Sequence, residues 1–413
     1  MSNLKYWLWL AGRKGLAGQT GIRVLNHFGS PERVYFSDAQ EYRMVAGLSE
    51  PAVRSLADKS LDGADRILGD CDRLNIRILT MQDAAYPERL AAIAQPPMVL
   101  YMKGRPVAFD EEAAIAIVGT RDATPYGLEA AGRLSMELTR SGALVVSGLA
   151  EGIDAAAVEG ALMAGGPAVS VLAGGLDVIY PRKNRRLYED LAVAGTLISE
   201  QPPGTEPRGV LFPVRNRIIS GLSVGVIAVE SKRTGGTLYT VGHALDQDRE
   251  VFAVPGPIGS ACSEGTNRLI QEGAAKLILN AEDVVCELID RFPNRLRRRA
   301  PLEPEVVRQR LERTAEEEPV KSPERTKPKE KEVDNGLAVE YIDWKDCKTK
   351  LTDDQQAVLL AFGGKTLRVD ELVELTQFPA RRVLSSLTIL QVQGYVTEES
   401  GKRFRTVGKL KME

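Results

Sequence analysis

The sequence has few of the residues on which cross-linked and metal-binding folds depend. Its four cysteines are widely separated and form no C-x-x-C pair, at positions Cys71, Cys262, Cys286 and Cys347. Cysteines spaced in this way predict reduced thiols, and they exclude a disulfide framework and a zinc site. We therefore expect stability to come from apolar cores, for which a hydrophobic content of 43% is sufficient.

Signatures of catalysis are also scarce. Histidine occurs only twice, as His27 and His243, and the sequence holds no H-E-x-x-H and no acidic cluster of the kind that binds two metal ions. No nucleophile and base are recognisable as a pair. We expect no catalytic residue, no resident metal and no cofactor.

No charge of one sign dominates, and no long apolar run is present. The formal net charge is -2, so a nucleic-acid site would have to be a local basic patch rather than a field of the whole protein. No apolar segment is long enough to span a bilayer. The first residues, M-S-N-L-K-Y-W-L-W-L, lack the charge order and cleavage site of a signal peptide. We expect a cytoplasmic protein that does not contact membranes.

The most informative stretch is 114–154, where a strand, a glycine-containing turn and a helix follow one another twice. The strands are predicted at 115–118 and 143–146, and strand–turn–helix repeats of this kind indicate a parallel sheet. The same alternation continues to about 290. Further strands are predicted at 168–172, 196–198, 226–229, 251–254 and 276–279, with helices at 184–193, 216–222, 236–245 and 266–271. The predicted fold class is α/β, with an extended Rossmann-like parallel sheet.

Composition divides the 413 residues into four parts. Residues 1–80 predict a small helical module of the sterile-alpha-motif or helix-hairpin-helix type, in which glycine turns either contact DNA or only cap helices. Residues 81–290 form the Rossmann-like domain, and the run 76–80 is predicted to add a strand at one edge of its sheet. Residues 291–344 are rich in charge and predict a disordered linker. Residues 345–413 predict a winged helix, with 380–390 as recognition helix. Three roles remain open for this module: binding DNA, binding a protein, or packing on a neighbouring domain.

Two loops at the ends of neighbouring predicted strands are suited to an anion. Gly119, Thr120 and Arg121 follow the first strand and offer bare backbone, a hydroxyl and a planar cation. The next loop contributes Ser147, Gly148 and Gly152, and Asp154 within it is interpreted as structural. Neither loop is followed by Gly-Lys-Ser/Thr or matches G-x-G-x-x-G, so a P-loop and a dinucleotide site are both disfavoured.

The segment 211–223 is the densest candidate for contact with nucleic acid. Arg215 and Arg217 flank Asn216 at a predicted helix start, and Phe212 is available for base stacking. The alternative is a buried Asn216 cap with one arginine paired to a carboxylate. A further loop, after the strand 226–229, adds basic and small residues, namely Lys232, Arg233, Thr234 and Gly235. Together these loops predict a local electropositive groove that follows a polynucleotide backbone without reading bases.

Several of these motifs, in this order, resemble the DNA-processing protein A family (DprA/Smf). They are Ile117-Val-Gly-Thr-Arg121, Ser147-Gly-Leu-Ala-Glu-Gly-Ile-Asp154, Gly175-Leu-Asp-Val-Ile-Tyr-Pro181, Ser199-Glu-Gln-Pro-Pro-Gly204, Phe212-Pro-Val-Arg-Asn-Arg217 with Ile218–Ser223, and Val254-Pro-Gly256. The resemblance implies a bacterial protein that binds and protects single-stranded DNA, forms a homodimer through its Rossmann-like domain and loads RecA recombinase during natural transformation. It also implies that the protein is not an enzyme.

The sequence departs from the family pattern in two places. Val158 stands where the family often has histidine, and 234–240 differs from the usual Ser-Gly-Ser-Leu-Ile-Thr.

Two other functions remain open. A nucleotide-phosphate hydrolase or phosphoribohydrolase on the same scaffold would depend on Glu151, Asp154 or Glu230. A winged-helix transcription factor would instead prefer duplex DNA through 345–413.

Overall fold

The computed structural model describes residues 3–16, 18–299, 302, 341–343, 351–363, 365–376 and scattered parts of 378–411. It divides the chain into two compact units, Met1–Val320 and Lys321–Glu413. In the described residues, no helix is both long and apolar enough to cross a membrane. Most of the predicted linker lies outside the described residues.

The first part of unit one is helical, as predicted. The helices are α1 (Leu4–Ala11), α2 (Gln19–Phe28), α3 (Pro31–Phe36), α4 (Ala39–Arg43), α5 (Glu50–Ala57) and α6 (Asp62–Leu74). Two of the starts are fixed by side chains that satisfy free backbone N–H groups: Ser30 accepts from Arg33, and Asp38 forms a capping box with Glu41. Buried Trp9 and Tyr42 belong to the core of the module.

Nine strands between residues 77 and 277 form one sheet. They are β1 (Arg77–Thr80), β2 (Val99–Gly104), β3 (Ala114–Val118), β4 (Leu144–Ser147), β5 (Ala168–Leu172), β6 (Thr196–Ser199), β7 (Gly225–Ala228), β8 (Glu250–Ala253) and β9 (Lys276–Leu277). Their spatial order is β1-β2-β6-β5-β4-β3-β7-β8-β9. All pairs from β6 to β9 are parallel, whereas β1 and β2 extend one edge in antiparallel pairing. This arrangement confirms the predicted α/β class.

Helices cover both faces of the sheet. They are α7 (Glu88–Ala91), α8 (Pro125–Arg140), α9 (Ile153–Met163), α10 (Arg185–Ala194), α11 (Leu211–Leu222), α12 (Thr237–Asp246), α13 (Glu264–Gln271) and α14 (Ala281–Leu288). The sheet separates two hydrophobic cores, one on each face. Alternate residues of β3 show this, since Ile115 and Ile117 belong to one core and Ala116 and Val118 to the other. Strands buried on both faces explain why the sequence shows continuous rather than alternating apolar runs.

One predicted helix boundary is wrong and bears on the site. The sequence suggests a helix over 216–222, but α11 begins five residues earlier, at Leu211. Pro213 suggests a break, yet proline is tolerated in the first turn of a helix, where backbone N–H groups have no intrahelical partner. Arg215 and Arg217 therefore lie inside the helix and not at its start.

The range predicted as linker begins with residues that pack on unit one. Leu296 is buried, and the backbone N–H of Arg297 donates to the Ser141 carbonyl at 2.8 Å. Arg295 pairs with Glu111 at 3.0 Å and with Glu112 at 3.2 Å. The first residues of this range therefore belong to the packed body of unit one.

Unit two has a small core of its own. Its described elements are β10 (Tyr341–Asp343), α15 (Asp353–Ala361), β11 (Leu367–Arg368), α16 (Val369–Thr376), β12 (Val396–Glu399), β13 (Arg403–Thr406) and β14 (Lys409–Lys411). Strands β12 and β13 pair antiparallel. Val358, Phe362, Leu387 and Phe404 are buried together. The predicted recognition helix is described only in part.

Candidate nucleic-acid interface

A cleft of about 570 Å³ opens at the carboxyl edge of the sheet, beside β3 and β7. Strands β3 to β6 succeed one another on one side of β3, and β7 to β9 continue on its other side. At such a reversal of strand order the connections diverge and leave a crevice, where open α/β sheets bind ligands. The loops after β3 and β7 and the first turns of α11 and α12 line this cleft.

The structure brings eight of the predicted site residues into the lining of this cleft. They are Gly119, Thr120, Arg121, Phe212, Arg215, Asn216, Lys232 and Gly235. These residues come from three segments spread over more than one hundred positions of the chain. For these three segments, the predicted convergence at one edge of the sheet is present in the fold.

Arg121 is exposed at the cleft and lies against an aromatic ring. Its guanidinium carbon is 4.6 Å from the centroid of the Phe212 ring, a cation–π contact. Tyr180 lies on the same ring, with 5.7 Å between centroids. Within residues 18–299 no carboxylate pairs with Arg121. Its charge is thus available to a ligand, and the contact with the Phe212 ring helps to hold the guanidinium group at the cleft.

Lys232 stands at the rim of the cleft beside a single carboxylate. Its Nζ is 3.0 Å from Asp122 Oδ2, and both side chains are largely exposed. The hydrogen bond and the charge of Asp122 raise the pKa of Lys232. An exposed pair of this kind contributes little to stability. A ligand phosphate can therefore compete with Asp122 for the ammonium group.

Arg215 forms part of the cleft floor and is fully engaged by the protein. Its Nη1 donates to the Gly148 carbonyl at 2.7 Å and also to the Val171 carbonyl, while Nε donates to Asn216 Oδ1 at 3.1 Å. Burial lowers the pKa of Arg215 to about 10, against the opposing effect of the Asp154 charge. Arg215 therefore ties α11 to the ends of β4 and β5.

Asp154 is the anionic neighbour of Arg215 beneath the cleft. Burial raises its pKa, while the Arg215 charge and backbone N–H groups of Ala150, Gly148 and Gly119 act in the opposite direction. These hydrogen bonds join the loops after β3 and β4, in keeping with the interpretation of Asp154 as structural. A Cβ on Gly148 would lie 2.5 Å from Arg215 Nη1 and 2.6 Å from Asp154 Oδ2. Only glycine leaves room for this arrangement.

Six predicted residues lie outside the lining of the cleft, all within the described range 18–299. Arg217 is buried, and its Nη2 pairs with Glu200 Oε1 at 2.7 Å, which is the ion pair of the alternative interpretation. The Asn216 cap of that interpretation is wrong, because Asn216 lies inside α11. Ser147 is buried and donates to the Ile117 carbonyl at 2.7 Å. Arg233 lines a different cleft, with Gly256 and Ile258. The remaining three are Gly148, Gly152 and Thr234.

The carboxylates considered for catalysis have structural partners. Glu230 is buried and accepts from the Thr124 backbone N–H at 2.9 Å and from its hydroxyl at 2.5 Å. Glu151 pairs with Lys183 at 3.0 Å. In the described residues no group of three or more His, Cys, Asp or Glu side chains is placed to hold a metal ion.

Two aromatic residues that sequence reasoning did not assign also line the cleft. Tyr180 follows β5 and is 46% exposed, and Tyr239 is the third residue of α12 and is 61% exposed. A sequence signal exists for both, since each tyrosine comes shortly after a predicted strand that ends at this edge. Their presence adds to the apolar ring surface that Phe212 gives the cleft.

Comparisons with known proteins bear on both units. A family model described as DNA recombination-mediator protein A matches residues 77–289, and one described as DprA winged helix domain matches 348–402. The DNA processing protein DprA of Bacillus subtilis (strain 168) is 43% identical over 226 residues, which are 55% of this chain and 76% of that protein. The DNA processing protein DprA of Streptococcus pneumoniae (strain R6) is 40% identical over 288 residues, 70% of this chain and 99% of that protein.

A solved structure agrees with these matches. The X-ray structure of DNA processing protein A from Streptococcus pneumoniae superposes with a TM-score of 0.61 and 32% sequence identity. The match covers 68% of this chain and 97% of that chain. The likeness thus extends over both sequence and fold.

Proposed function

The chain belongs to the DNA recombination-mediator protein A family, and from that premise we propose that its cleft holds single-stranded DNA by the sugar–phosphate backbone. The observation that carries the proposal is the position of Arg121, which is exposed in the cleft and oriented by Phe212. Lys232 adds a second cation, and the glycines of both loops allow a phosphate to approach the backbone.

The cleft favours a single strand over a duplex because it combines cations with aromatic rings. Phe212, Tyr180 and Tyr239 offer faces on which unpaired bases stack, whereas the bases of a duplex are already stacked on one another. Contacts to phosphates and ring faces are the same for every sequence. Binding without base preference is therefore expected.

We further propose that the protein works as a mediator and catalyses no reaction. It would protect the strand and deliver it to RecA recombinase in the cytoplasm during natural transformation, as a homodimer formed through the Rossmann-like domain. The engagement of the buried carboxylates Asp154 and Glu230 in internal contacts supports this over a hydrolase. Purified protein incubated with nucleoside monophosphates is accordingly expected to give no turnover.

Salt-dependent binding tests the proposed role of the cleft. Oligo-dT binding, followed by fluorescence anisotropy, should weaken steeply with salt, because each neutralised phosphate of a single strand contributes about 0.7 to the slope of log K against log salt. Arg121→Ala should reduce the affinity about tenfold and the slope by about 0.7, since it removes one charged contact.

The matched control is Arg105→Ala. Arg105 is also exposed, but it follows β2 at the amino edge of the sheet, away from the cleft. This variant should bind as the unaltered protein does. If the double variant Arg121→Ala/Lys232→Ala bound oligo-dT with unchanged affinity and slope, the cleft would not be the DNA site.

A further inference from the structure

Tyr239 is the most exposed aromatic side chain that lines the cleft. It lies in the first turn of α12 and is 61% exposed. Within the part of the chain that the structure describes, no aromatic ring or cation stacks on its ring. Phe212 differs, because Arg121 and Tyr180 both contact its ring.

The packing of α12 on α11 places Tyr239 beside the turn that carries Phe212. Val241 and Ala244 are buried and hold α12 on the sheet. Helix α12 packs along α11, and the first turns of both helices line the same cleft, with Phe212 and Pro213 from α11 and Tyr239 and Thr240 from α12. The two rings thus come from neighbouring helix starts at one edge of the sheet.

This inference rests on the proposed function and extends it. We propose that Tyr239 is a second base-stacking platform, which receives a base adjacent in the strand to the one that contacts Phe212. The cations Arg121 and Lys232 hold phosphates, and the rings of Phe212 and Tyr239 hold successive bases. Tyr239 is then a residue that distinguishes unpaired from paired DNA and adds nothing to phosphate binding.

The test compares Tyr239→Ile with Tyr239→Phe in the full chain. Stacking of one base on an aromatic ring corresponds to about a 5- to 150-fold change in affinity, so Tyr239→Ile should weaken oligo-dT binding within that range. Tyr239→Phe keeps the ring and should bind within about twofold of the unaltered protein. Neither substitution removes a charge, so the salt slope should stay the same.

An oligonucleotide made of abasic sites supplies the decisive control. It has the charge of oligo-dT but no bases, so Tyr239→Ile and the unaltered protein should bind it equally. Equal loss of affinity for the abasic strand, a changed salt slope, or unaltered oligo-dT binding would each overturn the role of Tyr239. Failure of the proposed function itself gives a different result, namely no effect of Arg121→Ala on oligo-dT binding.

Discussion

Three arginines near the cleft are surrounded in three different ways, and their surroundings determine what each one does. Arg121 is exposed and stacked on Phe212, Arg215 is buried against backbone carbonyls, and Arg217 is buried against Glu200. The sequence Arg-Asn-Arg suggests two equivalent cations. In the fold the first supports the floor of the cleft and the second stabilises the packing of α11 against the segment after β6.

We expect loss of Arg217 to affect stability rather than DNA binding. Its side chain is only 7% exposed, and Arg217→Met would leave the Glu200 carboxylate without its partner at 2.7 Å. The free energy of unfolding should fall by about 2 kcal/mol, because the charge left behind is partly buried. Urea unfolding measures this change. Oligo-dT affinity, measured at a temperature where the variant is folded, should stay the same.

The double variant Arg217→Met/Glu200→Gln separates the pair from other effects of the substitution. Removal of both charges should recover part of the lost stability, since no unpaired charge remains. A loss of DNA affinity in Arg217→Met comparable to that in Arg121→Ala would mean that Arg217 contacts the strand after all.

What the sequence cannot reveal at this scale is which arginine is covered. The partners of Arg215, the carbonyls of Gly148 and Val171, lie 67 and 44 positions away. Burial here depends on how α11 packs over the ends of β4 and β5, a tertiary arrangement that leaves no local pattern. By contrast, the small and polar residues directly after each strand predict the loops correctly, because that signal is local.

The start of α8 shows how one element fixes the shape of the cleft. Thr124 caps α8 by accepting from the Gly127 backbone N–H at 3.2 Å. Glu230, after β7, holds Thr124 through two hydrogen bonds, and its own carbonyl accepts from the Thr120 N–H at 2.9 Å. The loop that carries Arg121 is therefore held between β7 and the first turn of α8.

We expect Gly127→Ala to disrupt this junction. A Cβ at Gly127 would lie 2.2 Å from Glu230 Oε2, so the carboxylate must leave the Thr124 cap. Loss of a buried charged acceptor should lower the free energy of unfolding by about 1–3 kcal/mol. It should also weaken oligo-dT binding, because the Arg121 loop loses its anchor. Urea unfolding and anisotropy measure the two effects.

Gly69→Ala is the matched control for that substitution. Gly69 lies within α6, and a Cβ added there would meet no atom within 4 Å apart from its chain neighbours and the backbone of its own helix. Alanine there should raise stability by about 0.5–1 kcal/mol, since glycine is unfavourable inside a helix. Binding should not change. If Gly127→Ala behaved like Gly69→Ala, the Glu230 junction would have no role in holding the loop.

Strand positions are easier to predict from the sequence than helix starts, because a buried strand leaves a distinct local pattern and a helix start can resemble a loop. Strands β3 to β8 lie within one or two residues of their predicted positions, since burial on both faces requires an uninterrupted apolar run. The start of α11 escapes prediction because Pro213 is compatible with both a loop and a first helical turn. Strand order is not encoded in any local pattern, so the position of the cleft between the β3 and β7 loops emerges only from the fold.

At the scale of the whole molecule, the cleft belongs to one unit and the winged helix to the other. Every residue that lines the cleft lies in Met1–Val320, and unit two has a separate core that includes Val358 and Phe362. Cores that share no residues are expected to unfold separately. The contribution of each unit to DNA binding can therefore be separated by truncation.

A chain that ends at Val320 should bind oligo-dT with the affinity and salt slope of the full chain, within about threefold. The physical reason is that the slope counts phosphate contacts, and the cations of the cleft, Arg121 and Lys232, are both retained. Anisotropy on both proteins, with Arg121→Ala placed in each, measures whether the arginine has the same effect in the truncated chain. A shallower slope after truncation would mean that the winged helix supplies phosphate contacts of its own.

A duplex of the same length then distinguishes the two units, because a winged helix reads the major groove whereas the cleft stacks only unpaired bases.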